Sequence, residues 1–297
     1  MIYNALEIMT PLLIAGLGGL FTELAGVLNI ALEGLMLAGA FGAIVGTAAT
    51  GSLLAGIICG VGAATLLAAL YAYFTTRLRA NIFIAGLAVN LFSAGVIPFI
   101  STGLYGTKGV LKFNAVGQIP HLFGHVQVHI PILQDIFFGH NVTVYLALLL
   151  VLFVYLILYR TPFGLRLRAL GKNEELLTSR GLSPERYRIY AILISGVACG
   201  LAGSALSLRL GVYLPNITAG RGWIALVTIY LGYRHPLGIL AAAFFFAVME
   251  SLAGAAQGLI HIPGTVLLGV PYAVTVIAMV IYSIVRHNRL RRQRLYR

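Results

Sequence analysis

Apolar residues in this chain come in long unbroken runs, separated by short polar breaks. They do not form the one-sided stripes of helices half exposed to water. The runs cover residues 6–20, 30–49, 53–74, 81–100, 142–159, 190–210, 237–259 and 266–285. Several reach the 18 or more residues needed to cross the hydrocarbon core of a bilayer. Two regions are interrupted: the first run is short and carries Pro11 and the flexible GLGG at 16–19, and residues 211–235 hold turn residues around a short apolar stretch at 223–231. Nine helical residues rise only about 14 Å. That stretch predicts a half-helix completed by the residues on either side. The pattern as a whole predicts an all-α, polytopic integral membrane protein of eight to ten spans, some interrupted or re-entrant. Residues 1–285 then form one transmembrane domain.

Composition fits that pattern. Of 297 residues, 60% are hydrophobic and 9% charged, with a mean hydropathy of +0.95. A soluble domain carries about 25% charged residues, so a soluble fold is excluded. The net charge of +12 does not call for nucleic acid, because Lys and Arg fall between apolar runs and at the C-terminus. This is the positive-inside distribution. It puts Arg77, Arg79, the 160–188 loop and the 286–297 tail in the cytoplasm, and the 101–141 segment outside. The N-terminus lies outside if three full crossings precede Arg77, and inside if the first pair is re-entrant.

Little in the chain suggests chemistry of its own. There is no GxxxxGK[ST] phosphate loop, HExxH, CxxC or GxSxG, so the reading is no enzyme, no cofactor and no metal. His121, His125 and His129 have a spacing that could present zinc ligands on one helical face. Gly124 and the alternating VQVHI at 126–130, between Pro120 and Pro131, favour an ordinary loop. Cys59 and Cys199 both sit in apolar runs and read as packing residues.

The polar exceptions carry more information. Glu23, Asn29 and Glu33 lie in apolar surroundings, where a carboxylate costs at least about 2.5 kcal/mol. One reading has these groups accept hydrogen bonds from backbone N–H groups freed by the break. The other has at least one of them line a polar cavity and bond to a cargo. Arg221 stands between two glycines, where it could snorkel to headgroups or pair with an acid. Glu250 lies well inside an apolar run and should face another helix or a pathway. Interrupted segments occur in both halves, around 16–33 and 211–235, and such paired breaks point to a transport pathway.

The polar loop TPFGLRLRALGKNEELLTSRGLSPERYR (161–188) resembles the coupling region of ABC importer permeases of the branched-chain amino acid and simple-sugar class. ELAGVLNIALEGLMLAGAFGA (23–43) and AGRGWIALVTIYLGYRHPLG (219–238) resemble the nucleoside-type members. The resemblance implies a multi-pass permease subunit in a bacterial plasma membrane, forming half of a nucleoside pathway. A second, heteromeric permease, two cytoplasmic ATP-binding subunits and an external substrate-binding lipoprotein would complete the importer. Residues 173–178, with Asn173, Glu174 and Glu175, would dock on the ATPase, and Gly171 and Gly181 would act as hinges. Ribose-like sugars are the near alternative cargo. An ion-coupled secondary transporter working through Glu23, Glu33 or Glu250 fits less well with so large a polar loop. The family's first block reads Glu-Arg-(Ser/Ala)-Gly-Val-Leu-Asn, whereas Leu24 stands here in place of the arginine. Glu23 must therefore find another partner or sit near water.

Overall fold

The computed structural model describes residues 2–113, 119–122 and 138–257, together with 273, 276, 277 and 280. The expected span at 266–285 and the tail at 286–297 lie outside the described residues, apart from those four positions, as do His125 and His129. The architecture is all-α. Its elements are α1 (Ile2–Leu24), α2 (Leu32–Thr50), α3 (Leu53–Ala72), α4 (Ile82–Tyr105), α5 (Val142–Arg160), α6 (Pro162–Leu170), α7 (Glu175–Thr178), α8 (Pro184–Leu210), α9 (Arg221–Leu231) and α10 (Pro236–Gln257). A π-helical turn, Tyr73–Arg77, extends α3. Two short strands, β1 (Leu111–Lys112) and β2 (Val212–Tyr213), pair antiparallel with Leu111 opposite Tyr213. Among the described residues, seven helices are long and apolar enough to cross a membrane.

The first helix departs from the sequence expectation. Pro11 and the GLGG run do not break it; α1 is one helix of 23 residues. Burial explains this, since 94% of its most apolar stretch is covered by protein, against 22% for Leu53–Arg77. The glycines serve close packing: a Cβ on Gly18 would collide with the Cβ of Ala198 in α8. Helices α1, α2 and α8 form the centre, and α3, α4 and α5 present leucines and phenylalanines outward. This is how a protein looks when its solvent is as apolar as its core.

The bundle has two distinguishable ends. At one end, Tyr3 of α1 donates from its hydroxyl to the Gly139 carbonyl at 2.9 Å. The β1–β2 pair belongs to the same end, which we call the loop end. At the other, Gly26, Thr75, Arg79, Glu174 and Arg188 surround a cavity of about 400 Å³; this is the basic end. The chain passes fully from loop end to basic end in α1, back through 25–31 and α2, and down again in α3. Three passes therefore precede Arg77, and the N-terminus lies at the end opposite it.

Two passes are part helix and part unwound. In residues 25–31 the freed backbone groups are met by side chains, as they must be in apolar surroundings. Tyr71 donates to the Leu28 carbonyl at 3.0 Å. Asn90 brackets the break, its Nδ2 donating to the Ile30 carbonyl at 2.9 Å and its Oδ1 accepting from Gly34 N–H at 2.8 Å. The second unwound stretch, 214–220, joins β2 to α9. It holds Asn216, Ala219 and Gly220 at positive φ, and α9 then runs only 11 residues to the basic end.

Candidate functional site

The two interrupted passes meet in the interior, where the N-terminal ends of α2 and α9 come together. Helix α2 runs from this point to the loop end and α9 to the basic end, so two sets of unpaired N–H groups converge. Glu33, in the first turn of α2, sits between them. Its carboxylate accepts from Thr218 Oγ1 at 2.6 Å, Gly220 N–H at 2.8 Å and Gly222 N–H at 2.6 Å. A carboxylate at a helix N-terminus is favoured by the helix dipole, and Glu33, carried by α2, gives its oxygens to the start of α9. The approach requires glycine, because a Cβ on Gly222 would lie 2.5 Å from the Glu33 Cα.

Arg221, in the first turn of α9, turns to the carboxylate of Glu250 in α10 and also donates to the Ile217 carbonyl at 3.3 Å. A cation beside a helix N-terminus is unfavourable, and Glu250 compensates it. Glu33, Arg221 and Glu250 thus surround one helix start. Asn29 lies in the unwound stretch, its Oδ1 accepting from Ala31 N–H at 3.0 Å and its Nδ2 donating to Ser195 Oγ at 2.9 Å.

Glu23 is elsewhere. The break at 25–31 removes it from Glu33 and leaves it at the basic end, in the last turn of α1. It accepts from Tyr230 Oη at 3.0 Å and pairs with Arg234 Nη2 at 2.6 Å. The guanidinium absent at position 24 is supplied by the turn after α9.

The 160–188 loop folds as α6, α7 and connecting turns. Thr161 caps α6 through Gly164 N–H at 3.3 Å, with Pro162 at the first helical position. Asn173 accepts from Glu175 N–H at 2.9 Å, just ahead of the single turn of α7, and Glu174 pairs with Arg188 at 2.7 Å. Gly181 has φ +71°. Gly171 abuts the first break: a Cβ there would collide with the Leu24 carbonyl oxygen, and its Cα is in contact range of Gly26.

One polar cluster is not legible as such in the sequence. Glu7, 7% exposed, accepts from Asn141 N–H at 2.9 Å and Asn141 Nδ2 at 2.8 Å. Arg209 Nη1 lies 3.5 Å from it and His140 Nδ1 3.7 Å. The only local signal is a lone glutamate in an apolar run. At the same end, Nδ1 of His121 lies 2.9 Å from the Gly139 carbonyl oxygen. Among the described residues no three His, Cys, Asp or Glu side chains are grouped to hold a metal.

The family described as branched-chain amino acid transport system, permease component, matches residues 1–285. The chain belongs to this family. It is an ABC-importer permease, a membrane transport component and not an enzyme. TsgC13 of Haloferax volcanii, provisionally named a glucose ABC transporter permease, is 36% identical over 251 residues, covering 84% of this chain and 75% of its own. The nucleoside ABC transporter permease NupC of Lactococcus lactis is 30% identical over 290 residues, covering 94% and 90%. A solved inward-facing ABC transporter, provisionally of metal-chelate type, aligns with a TM-score of 0.52 at 14% identity, over 97% of this chain and 84% of that one. At that identity the likeness speaks for the fold alone.

Proposed function

We propose that this permease forms half of the translocation pathway for nucleosides in an ATP-driven importer. A second, different permease subunit completes the pathway, two ATP-binding subunits dock at the basic end, and a substrate-binding lipoprotein delivers cargo to the loop end. The excess of Lys and Arg at the basic end supports placing it in the cytoplasm. The docking element is the one-turn α7 with Asn173, Glu174 and Glu175, between Gly171 and Gly181 as hinges. Such a charged, exposed surface separates from a partner and re-forms without exposing apolar area.

The nucleoside cargo rests on one observation: the likeness to NupC runs over nearly the full length of both chains. The higher identity to TsgC13 favours sugars as the second reading. Cells with the gene deleted and then restored, given radiolabelled uridine, ribose and glucose in parallel, separate the two. ATP-dependent recovery of uridine uptake alone is the expected result. Recovery of a sugar alone moves the cargo to sugars, and recovery of none overturns both.

A further inference from the structure

A cavity of about 760 Å³ opens at the loop end between the start of α1, the end of α8 and α10, lined among others by Tyr3, Glu7, His121, Arg209, Glu250 and Ser251. Its size falls in the range of small-molecule sites, about 300–1,000 Å³. The lining groups differ in how far they are already committed. Both oxygens of Glu7 are held by Asn141, so this carboxylate is a fixed part of the wall. Arg209 reaches Glu7 only at 3.5 Å through Nη1, and its remaining N–H donors have no other partner among the described residues. Glu250 commits one oxygen, Oε1, to Arg221; Oε2 has no partner among the described residues. The cavity therefore presents guanidinium donors and a carboxylate acceptor, while the Tyr3 hydroxyl and the His121 ring in its wall already face the Gly139 carbonyl.

Charge narrows what such a site can hold. Glu7 and Glu250 stand against Arg209 and Arg221, two carboxylates against two guanidiniums. An uncharged solute with hydroxyl and amide-like groups satisfies both free ends without disturbing that balance. Among the described residues each of these charges already faces an opposite one, so an added charge would enter without a counter-ion of its own. Building on the importer reading above, we propose that this cavity is the vestibule that receives the cargo. Arg209 donates to the solute, Glu250 accepts from it, and the paired charges exclude phosphorylated or otherwise ionised versions. Glu250 also holds Arg221 in the first turn of α9. A solute bound there shares a carboxylate with the start of the interrupted helix.

The test uses the complete importer in proteoliposomes, with a Cys59→Ser background and Ala255→Cys as a reporter at the cavity edge. Uridine, ribose and glucose are the probes, and uridine monophosphate is the charged competitor. Whichever probe the unaltered importer takes up should slow labelling of the introduced thiol by a water-soluble reagent, and uridine monophosphate should not. Arg209→Gln should cut saturating uptake at least tenfold and abolish protection, with ATP hydrolysis stimulated by the loaded binding protein retained. Glu250→Gln leaves one positive charge in excess and should let uridine monophosphate compete at least tenfold better, which Arg209→Gln should not. A purely structural role for either residue would not move that selectivity. If uptake is normal while protection and selectivity are unchanged in both variants, the vestibule is overturned and the importer reading stands. If the unaltered importer moves none of the three probes, both cargo readings fall and the vestibule with them.

Discussion

Glu33 and Glu23 are ten residues apart, both carboxylates beside a broken helix, yet they are satisfied in opposite ways. Glu33 is met by three neutral donors from one short stretch, two of them backbone N–H groups at the start of α9. Glu23 is met by a phenol and by the guanidinium of Arg234, which is 46% exposed. Depth accounts for the difference. In the interior, the groups in need of a partner are the N–H groups at the start of α9, and the Glu33 carboxylate meets them without a counter-ion. At the basic end, water lowers the cost of a separated pair, so a long flexible arginine suffices. The first junction is closed by donors that have few other partners to turn to, and the second is a half-exposed pair that water can separate at lower cost.

The largest effect should come from breaking the interior junction. Glu33→Ala leaves the N–H groups of Gly220 and Gly222 without acceptors. An unsatisfied donor costs about 1–3 kcal/mol when buried; both of these bonds are part-buried, so the loss is about 2–4 kcal/mol. Thermal unfolding of the purified importer should show a markedly lower midpoint, and Glu33→Gln, which keeps one acceptor oxygen, should fall between. A Glu33→Ala variant as stable as the original would mean that those bonds contribute little.

A middle effect is expected where the 160–188 loop touches the first break. In Gly171→Ala the new methyl meets the Leu24 carbonyl, so backbone must shift. Overpacking of this kind costs about 1–3 kcal/mol. The informative readout is the ratio of cargo moved to ATP hydrolysed, measured in proteoliposomes. Hydrolysis with strongly reduced transport would place the contact on the route between ATPase and pathway; an unchanged ratio would remove it from that route.

How much of this was visible in the chain follows from how far apart the interacting residues lie. The half-helix at 223–231 is legible because its apolar run is too short to span; Glu33 and Glu250 stand out as polar residues in apolar runs, and Arg221 as a charge just ahead of one. How they are satisfied is not legible, since the donors to Glu33 lie more than 180 positions on. Glu7 has the same difficulty in sharper form: its partner Asn141 is 134 residues away. Pro11 and the GLGG run mislead for the reverse reason. Local rules read them as breaks, and the nearly complete burial of α1 overrides those rules. Leu24 in place of the family's arginine poses a question that only the position of Arg234 answers.

The smallest effect should come from the exposed pair, and a double-mutant cycle sharpens it. Arg234→Ala alone removes the charge that balances Glu23, whose own side chain is only 8% exposed. The remaining carboxylate keeps Tyr230 but loses its counter-ion, so this single change should cost more than the pair contributes. Glu23→Gln with Arg234→Ala removes both charges and should recover part of that loss. The coupling energy between the two sites is expected at about 1 kcal/mol or less, because exposure of Arg234 screens it. Raising the salt concentration should shrink it further, while leaving the Glu33→Ala deficit untouched. A coupling of several kcal/mol that ignores salt would make the two junctions alike, and the contrast between a fixed interior contact and a separable one at the basic end would fail.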